Sequence, residues 1–320
     1  MSKRGWLLFA AMSVIWGVPY LLIKVALEGM PAPFIVFART AIGALVLLPI
    51  ALKRDLVRPA LKQWRYLFTF AAIEIAGPWL LLGDAEQHMT SSLAGLLISS
   101  VPLIVAVIMW RLGDSSAVSG VRLLGLFIGM AGVAAIVGLN LGTVSLLRMG
   151  EVILVAIGYA IAPIIADRKL TDVPTLAVIT VSLTAVALLY APVAAFSHPH
   201  TMPKANAIAS VVALGLVCTA TAFLVFFKLI AEVGPAKSSM ITFVNPAIAV
   251  LGGLVFLGES IKVGIIVGAP LVLVGLVLST RKKAEDEESV ASAGDSGSAS
   301  EGAVAPAPGP LSAAEPAAAG

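Results

Sequence analysis

One carboxylic acid, Glu74, stands in the middle of the apolar run AAIEIAGPW. A carboxylate at the centre of a hydrocarbon-embedded helix costs roughly 2–3 kcal/mol, so an acid there has either a task or a firm partner. Desolvation disfavours its ionised form, which suits it to carrying a proton. It fits equally well as a neutral acid hydrogen-bonded to a neighbouring helix. Pro78 and Trp79 lie one turn further along. Proline removes a backbone hydrogen bond, so a helix break that bares carbonyls to a cavity is expected there, with a packing kink as the alternative. Arg39, about one turn inside another apolar run, offers a guanidinium for a carboxylate or phosphate. It also has the option of snorkelling to the interface or pairing with Glu28. Lys24 lies four residues before Glu28, the spacing of a helical ion pair. Trp16, Tyr20 and Tyr159 are aromatic residues within apolar runs, and Asn245 is an amide in another. Lining one cavity, with Arg39, Glu74 and Trp79, they would suit a small amphipathic organic solute. Helix packing is the plainer reading of each aromatic residue alone.

These residues need elements to hold them, and the composition says which. Of 320 residues 59% are hydrophobic and 12% charged, with a mean hydropathy of +1.01. A soluble domain is about 25% charged, so this chain belongs in lipid. A net charge of +3 gives no nucleic-acid signal. The single cysteine, Cys218, excludes an intrachain disulfide and a multi-cysteine zinc site. His198-Pro199-His200 reads as a solvated turn, and no metal or cofactor is expected. P-loop, HExxH and GxSxG patterns are missing, which argues against an enzyme and against ATP-driven transport within the chain.

A spanning helix takes about 20 mostly apolar residues. Ten segments qualify: 5–27, 34–52, 65–83, 91–111, 121–140, 150–166, 174–196, 207–230, 236–257 and 261–280. Trp6 to Leu27 reads as a retained first helix, because it spans and lacks a clean cleavage pattern. Lys and Arg favour cytoplasmic loops. With the N-terminus inside, sixteen fall in inside segments and three (Arg148, Lys204 and Lys262) outside. Both termini are therefore expected in the cytoplasm. Residues 284–320 are mostly Ala, Gly, Ser, Pro and Glu with almost no large apolar side chains, a composition expected to stay disordered.

The run GPAKSSMITFVNPAIAVLGGLVFLGE (234–259) is echoed by TSSLAGLLISSVPLIVAVIMWRLGD (90–114). Pro102 and Pro246 are 144 residues apart, as are Pro19 and Pro163. The Gly113-Asp114 and Gly258-Glu259 endings match after a one-residue gap. Five spans on either side of a junction near Leu141 give an inverted repeat. The expected fold is thus all-α and integral to the membrane: ten transmembrane helices as two inverted five-helix repeats, 1–142 and 143–283, with a tail, 284–320, after them. Pro19, Pro78, Pro102, Pro163 and Pro246 are the expected helix-breaking positions, around a site near the midplane. Gly125-x-x-x-Gly129 and Gly264-x-x-x-Gly268 are expected to bring the fifth and tenth helices close together.

At TATAFLVFFKLIAEVGPAKSSMITFVNPAIAVLGGLVFLGES, with Gly268 and Gly275 after it, the chain resembles the EamA family of the drug/metabolite transporter superfamily. SVIWGVPYLLIKVAL resembles that family's first helix, with Trp16-Gly17 and Lys24 in place, and Arg39 sits where the family often has an arginine. Gly113-Asp114 departs from the Leu-Gly-Glu pattern, and Thr180 stands near the position equivalent to Arg39 in the second half. Glu74 and Pro78-Trp79 are outside the pattern. The resemblance implies a multi-pass secondary transporter of the bacterial inner membrane that moves amino acids, other metabolites or toxic organic compounds, often outward.

The resulting expectation is an alternating-access exporter of a small organic solute, with protons as the candidate coupling ion through Glu74. The solute would meet Trp16, Tyr20, Arg39, Trp79, Tyr159 and Asn245. A multidrug or toxic-cation exporter and an organic-anion carrier of the same fold are the alternatives. A membrane protein acting in assembly or on lipid-linked substrates is the alternative from a different class. The bilayer and the solute are the expected partners, homo-oligomerisation is left open, and nucleic acid is not among them.

Overall fold

The computed structural model describes residues 2–113, 120–139, 145–199, 201–233, 238, 241–260 and 262–280. The tail 284–320, Asp114, the junction near Leu141, His200 and the Gly234-Pro235 pair lie outside them. The described residues are helical, without strands. Seven helices are long and apolar enough to cross a bilayer: α1 (Lys3–Leu27), α2 (Ala32–Lys53), α3 (Trp64–Glu86), α4 (Ser91–Arg111), α6 (Leu146–Lys169), α7 (Thr175–Phe196) and α8 (Ala205–Val233). Three more, α5 (Gly120–Leu139), α9 (Ile241–Leu257) and α10 (Val263–Thr280), are apolar over shorter stretches. A short turn of helix, Val57–Leu61, joins α2 to α3. Leu45, Phe127, Leu188, Val255 and Phe256 point out of the bundle. A water-facing surface would not carry so many large apolar side chains, so they are read as facing lipid.

The expected prolines act in three different ways. Pro19 comes just after a bend at Val18, where α1 divides into Lys3–Gly17 and Pro19–Leu27. Pro102 comes after a turn at Ser99-Ser100 that divides α4 into Ser91–Ile98 and Val101–Arg111. There the Ser99 and Ser100 hydroxyls donate to Leu96 O and Leu97 O (2.5 and 2.6 Å), adding to the bonds those carbonyls accept from the Ser99 and Ser100 N–H groups. Pro163 and Pro246, by contrast, lie inside continuous helices. Pro78 leaves α3 unbroken. The chain absorbs it by winding Ala72–Ala76 as a π turn, in which the Gly77 N–H reaches back to Ala72 O. Tyr190 of α7 donates its hydroxyl to the Ala76 carbonyl at 2.9 Å. A second π turn, Leu216–Thr221 in α8, begins 144 residues after the first.

Packing repeats with the same rhythm. α2 lies against α7, α4 against α9 and α5 against α10, while α3 packs on α6 and α8 on α1. The closest approach is between α5 and α10. A Cβ on Gly132 would stand 2.6 Å from Val272 N, and one on Gly275 would overlap the Gly129 backbone. Helices without a hydrophobic drive between them gain from such close backbone contact. Gly132→Val and Gly275→Val should each lose about 1–3 kcal/mol by overpacking. Gly150→Ala, where an added Cβ meets nothing within 4 Å, should not. Thermal release of the buried Cys218 thiol to a fluorogenic thiol dye reads this directly. Equal melting of all three variants would refute the tight α5–α10 seam.

Candidate functional site

A cavity of about 400 Å³ opens among α1, α2, α3, α4, α6 and α9. Trp16, Tyr20, Arg39, Glu74, Tyr159 and Asn245 line it, as do Pro19, Pro102, Pro163 and Pro246. Trp79 and Pro78 are not on its wall. Trp79 lies behind Arg39, whose guanidinium carbon is 3.6 Å from the centre of the indole ring.

Arg39 is 8% exposed, which rules out both snorkelling and an exposed ion pair. Its Nε–H donates to Thr219 Oγ1 at 3.0 Å. Thr219 belongs to the π turn of α8 and donates its own hydroxyl proton to Leu214 O, five residues back, at 2.8 Å. The Trp79 face supplies a cation–π contact that strengthens as water is removed. One charged group is thus held by a π turn on one side and an indole on the other. Glu74 lies within the other π turn, and its Oε2 is buried with no hydrogen-bond partner. π turns recur at functional sites because they re-aim side chains and loosen the helical ladder. Tyr159 lies within electrostatic reach of Glu74, Tyr20 and Arg39. Trp16 packs on Phe226 of α8, with ring centroids 4.7 Å apart. The Asn245 amide, oriented by its hydrogen bonds, donates to Ile241 O and to Ser13 O at 3.0 and 3.2 Å, joining α9 to α1. The wall therefore offers one fixed cation, one acid with an open oxygen and several amphipathic rings.

A second cavity, of about 420 Å³, lies at the end of the bundle carrying the α3–α4 and α9–α10 connections. Lys24, Glu28, Gln87, Thr90, Glu259 and Lys262 are among its lining residues. Lys24 makes no ion pair with Glu28. Its ammonium donates to the Glu86 and Met89 carbonyls, at 2.5 and 2.8 Å. Glu259 explains the Gly-Glu ending. Gly258, at φ +61°, ends α9 in the left-handed conformation that glycine adopts freely. That turn sends Glu259 to the N-terminus of α4. There it accepts from Ser91 N and Oγ (2.7 and 2.9 Å) and from Ser92 N and Oγ (3.1 and 2.6 Å). A carboxylate suits the positive end of a helix and its unpaired N–H groups.

Glu86 and Thr219 were not singled out by sequence reasoning, and Glu259 was read as the end of a repeated motif without a partner. Glu86 sits in GDAEQH, which reads as a loop, yet α3 continues through it. Its i,i+4 spacing from Leu82, a cavity-lining residue, was the available signal.

This helical membrane bundle, with a polar-lined chamber in its middle, has the form of a membrane transporter. The chain belongs to the EamA-like transporter family, whose model matches residues 3–138 and again 149–281. It is 26% identical over 289 residues to YvbV, an uncharacterized transporter of Bacillus subtilis, covering 89% of this chain and 94% of that one. It is 26% identical over 257 residues to YedA, an uncharacterized inner membrane transporter of Escherichia coli, covering 79% and 82%. It is 25% identical over 288 residues to a probable terminal-alkyne amino-acid exporter of Streptantibioticus cattleyicolor, covering 88% and 95%. A solved crystal structure has the same fold with a TM-score of 0.62 at 18% identity, covering 88% of this chain and 97% of that one.

The Glu259 cap makes a direct prediction. Glu259→Ala should cost about 1–3 kcal/mol by leaving the Ser91 and Ser92 donors unmet. Ser91→Ala with Ser92→Ala should cost less in the Glu259→Ala background than in the wild type, as a thermal double-mutant cycle reads it. Additive losses would deny the coupling.

Proposed function

We propose that this EamA-family transporter is a ten-span, two-repeat carrier that exports a small zwitterionic or anionic organic solute, such as an amino acid or a relative of one, by alternating access. The repeats are residues 1–142 and 143–283, in opposite orientations, with both chain ends in the cytoplasm. The central cavity is the solute site. Arg39 takes the carboxylate, Asn245 and the tyrosines take other polar groups, and Trp16 covers an apolar part. Trp79 acts indirectly, by holding Arg39 flat and oriented. Glu74 carries the coupling proton.

The observation that carries this reading is the buried Arg39 guanidinium, the one cationic side chain among the described residues lining the chamber. A fixed cation disfavours a cationic drug and favours a carboxylate. The two π turns at matching positions and the reciprocal packing of α3 on α6 and α8 on α1 support the repeat. The exporter among the relatives supports the substrate class and direction.

Counterflow in proteoliposomes tests it. Unlabelled neutral amino acids should drive uptake of a labelled one, and organic cations should not. Glu74→Gln should keep exchange but lose the acceleration that an imposed pH gradient gives the wild type. Exchange driven by cations alone would overturn the substrate class. A gradient response equal to wild type in Glu74→Gln would remove Glu74 from coupling.

A further inference from the structure

One buried acid has no role in that scheme. Glu86, the last residue of α3, is fully buried, and neither of its carboxylate oxygens has a hydrogen-bond partner. An ionised carboxylate left dry and unpaired is costly, and relieving that cost requires a proton or a cation. The cation is beside it but engaged elsewhere: the Lys24 ammonium is bound to the main-chain oxygens of Glu86 and Met89. Several other charged and titratable groups lie around this pair. His88, two residues on from Glu86, sets its Nδ1 3.1 Å from Asp84 O and lines the second cavity with Glu28 and Lys262. Arg39 on α2 is held by Trp79 and Thr219, and Glu259 at the end of α9 by Ser91 and Ser92. Arg148 at the head of α6 engages Asp84 and Glu151, and Tyr20 of α1 faces the central cavity.

The position of this pair matters as much as its chemistry. Lys24 and Leu93 line the second cavity, whereas Tyr20, Ile23 and Gly95 line the central one. Ile23 and Lys24 are consecutive on α1, and Leu93 and Gly95 are two residues apart on α4, so the partition between the two chambers is thin, and the Lys24 contacts fasten α1 to the α3–α4 connection there.

We infer that Glu86 and Lys24 form a proton-operated gate between the central and second cavities. With a proton on Glu86, Lys24 clasps the two carbonyls and the partition is shut, the arrangement of this structure. When Glu86 releases its proton to water in the second cavity, Lys24 moves onto the carboxylate. The α3–α4 connection is then freed from α1 and the chambers join. The gate rests on reading the central cavity as the solute chamber, with the second cavity toward the outside.

The test is cysteine accessibility in the full-length chain with Cys218→Ala, which removes its single thiol. Ser99→Cys places a probe on the central cavity and Gln87→Cys an exposed probe on the α3–α4 connection. A membrane-impermeant thiol reagent is applied to intact cells and to inverted vesicles. The preparation that labels Gln87→Cys defines the face, and its rate at each pH normalises the Ser99→Cys rate. From that face, Ser99→Cys labelling should rise on the order of tenfold from mildly acidic to mildly alkaline pH, as a minor open state becomes dominant. Glu86→Gln should hold it slow at every pH, Lys24→Met fast at every pH, and Glu86→Asp should keep the response. A wild-type rate that ignores pH, or a full response in Glu86→Gln, would overturn the gate. If Glu86→Gln does not fold, Lys24→Met decides alone: a retained pH response in that variant refutes the clasp. Counterflow measured in parallel separates the two readings. Counterflow without a pH-gated probe sinks the gate, and a gated probe without counterflow sinks the transport reading.

Discussion

Arg39 is a cation that cannot shed its proton to escape a dry site, and much of the middle of this bundle is arranged around tolerating it. Its flat guanidinium lies on the Trp79 ring while its Nε is met by the Thr219 hydroxyl. Neither partner is placed by an ordinary helix. Thr219 and Glu74 sit in π turns, and Trp79 comes soon after one. A π turn adds a residue to the helical circuit and so rotates the helix beyond it. In α3 that extra residue also absorbs Pro78, so the proline costs the helix little and Trp79 is brought behind Arg39. Holding one charge thus takes two local departures from helical geometry, in α3 and in α8.

The rest of the architecture keeps those departures in register. α5 and α10 cross on bare backbone at Gly132 and Gly275. Glu259 ties the end of α9 to the start of α4 across the halves matched by the family model. Asn245 ties α9 to α1. These contacts are polar or backbone to backbone, the kinds that stabilise helices in lipid, where apolar side chains gain little by leaving hydrocarbon for one another. They surround the chamber and leave its interior with unmet groups on Glu74 and at its edge on Glu86.

The helices were legible because a run of about 20 apolar residues has few other uses. Trp16, Tyr20, Arg39, Glu74, Tyr159 and Asn245 were legible as candidates because polar and amphipathic groups are conspicuous in such runs. Their convergence on one chamber needed the packing. Trp79 was expected on the wall and lies behind Arg39, since the π turn that rotates it has no mark in AAIEIAGPW beyond Pro78. The matching turn in α8 precedes Ala222 rather than a proline, so no residue type marks it. Glu259 was visible as the end of a motif, but its partners Ser91 and Ser92 are 168 and 167 residues away. Glu86 was hidden by its polar neighbours, which read as a loop.

The central claim is that a stacked, planar cation in the chamber recognises the transported solute. Arg39→Lys keeps the charge but gives up the planar stack and the Nε geometry. Counterflow of the best amino-acid substrate, measured at matched protein density in wild type and Arg39→Lys, is the most direct measurement. The account predicts a rise in the half-saturating concentration of about tenfold or more, equivalent to about 1.4 kcal/mol of lost recognition. An unchanged half-saturating concentration in a folded Arg39→Lys protein would contradict it.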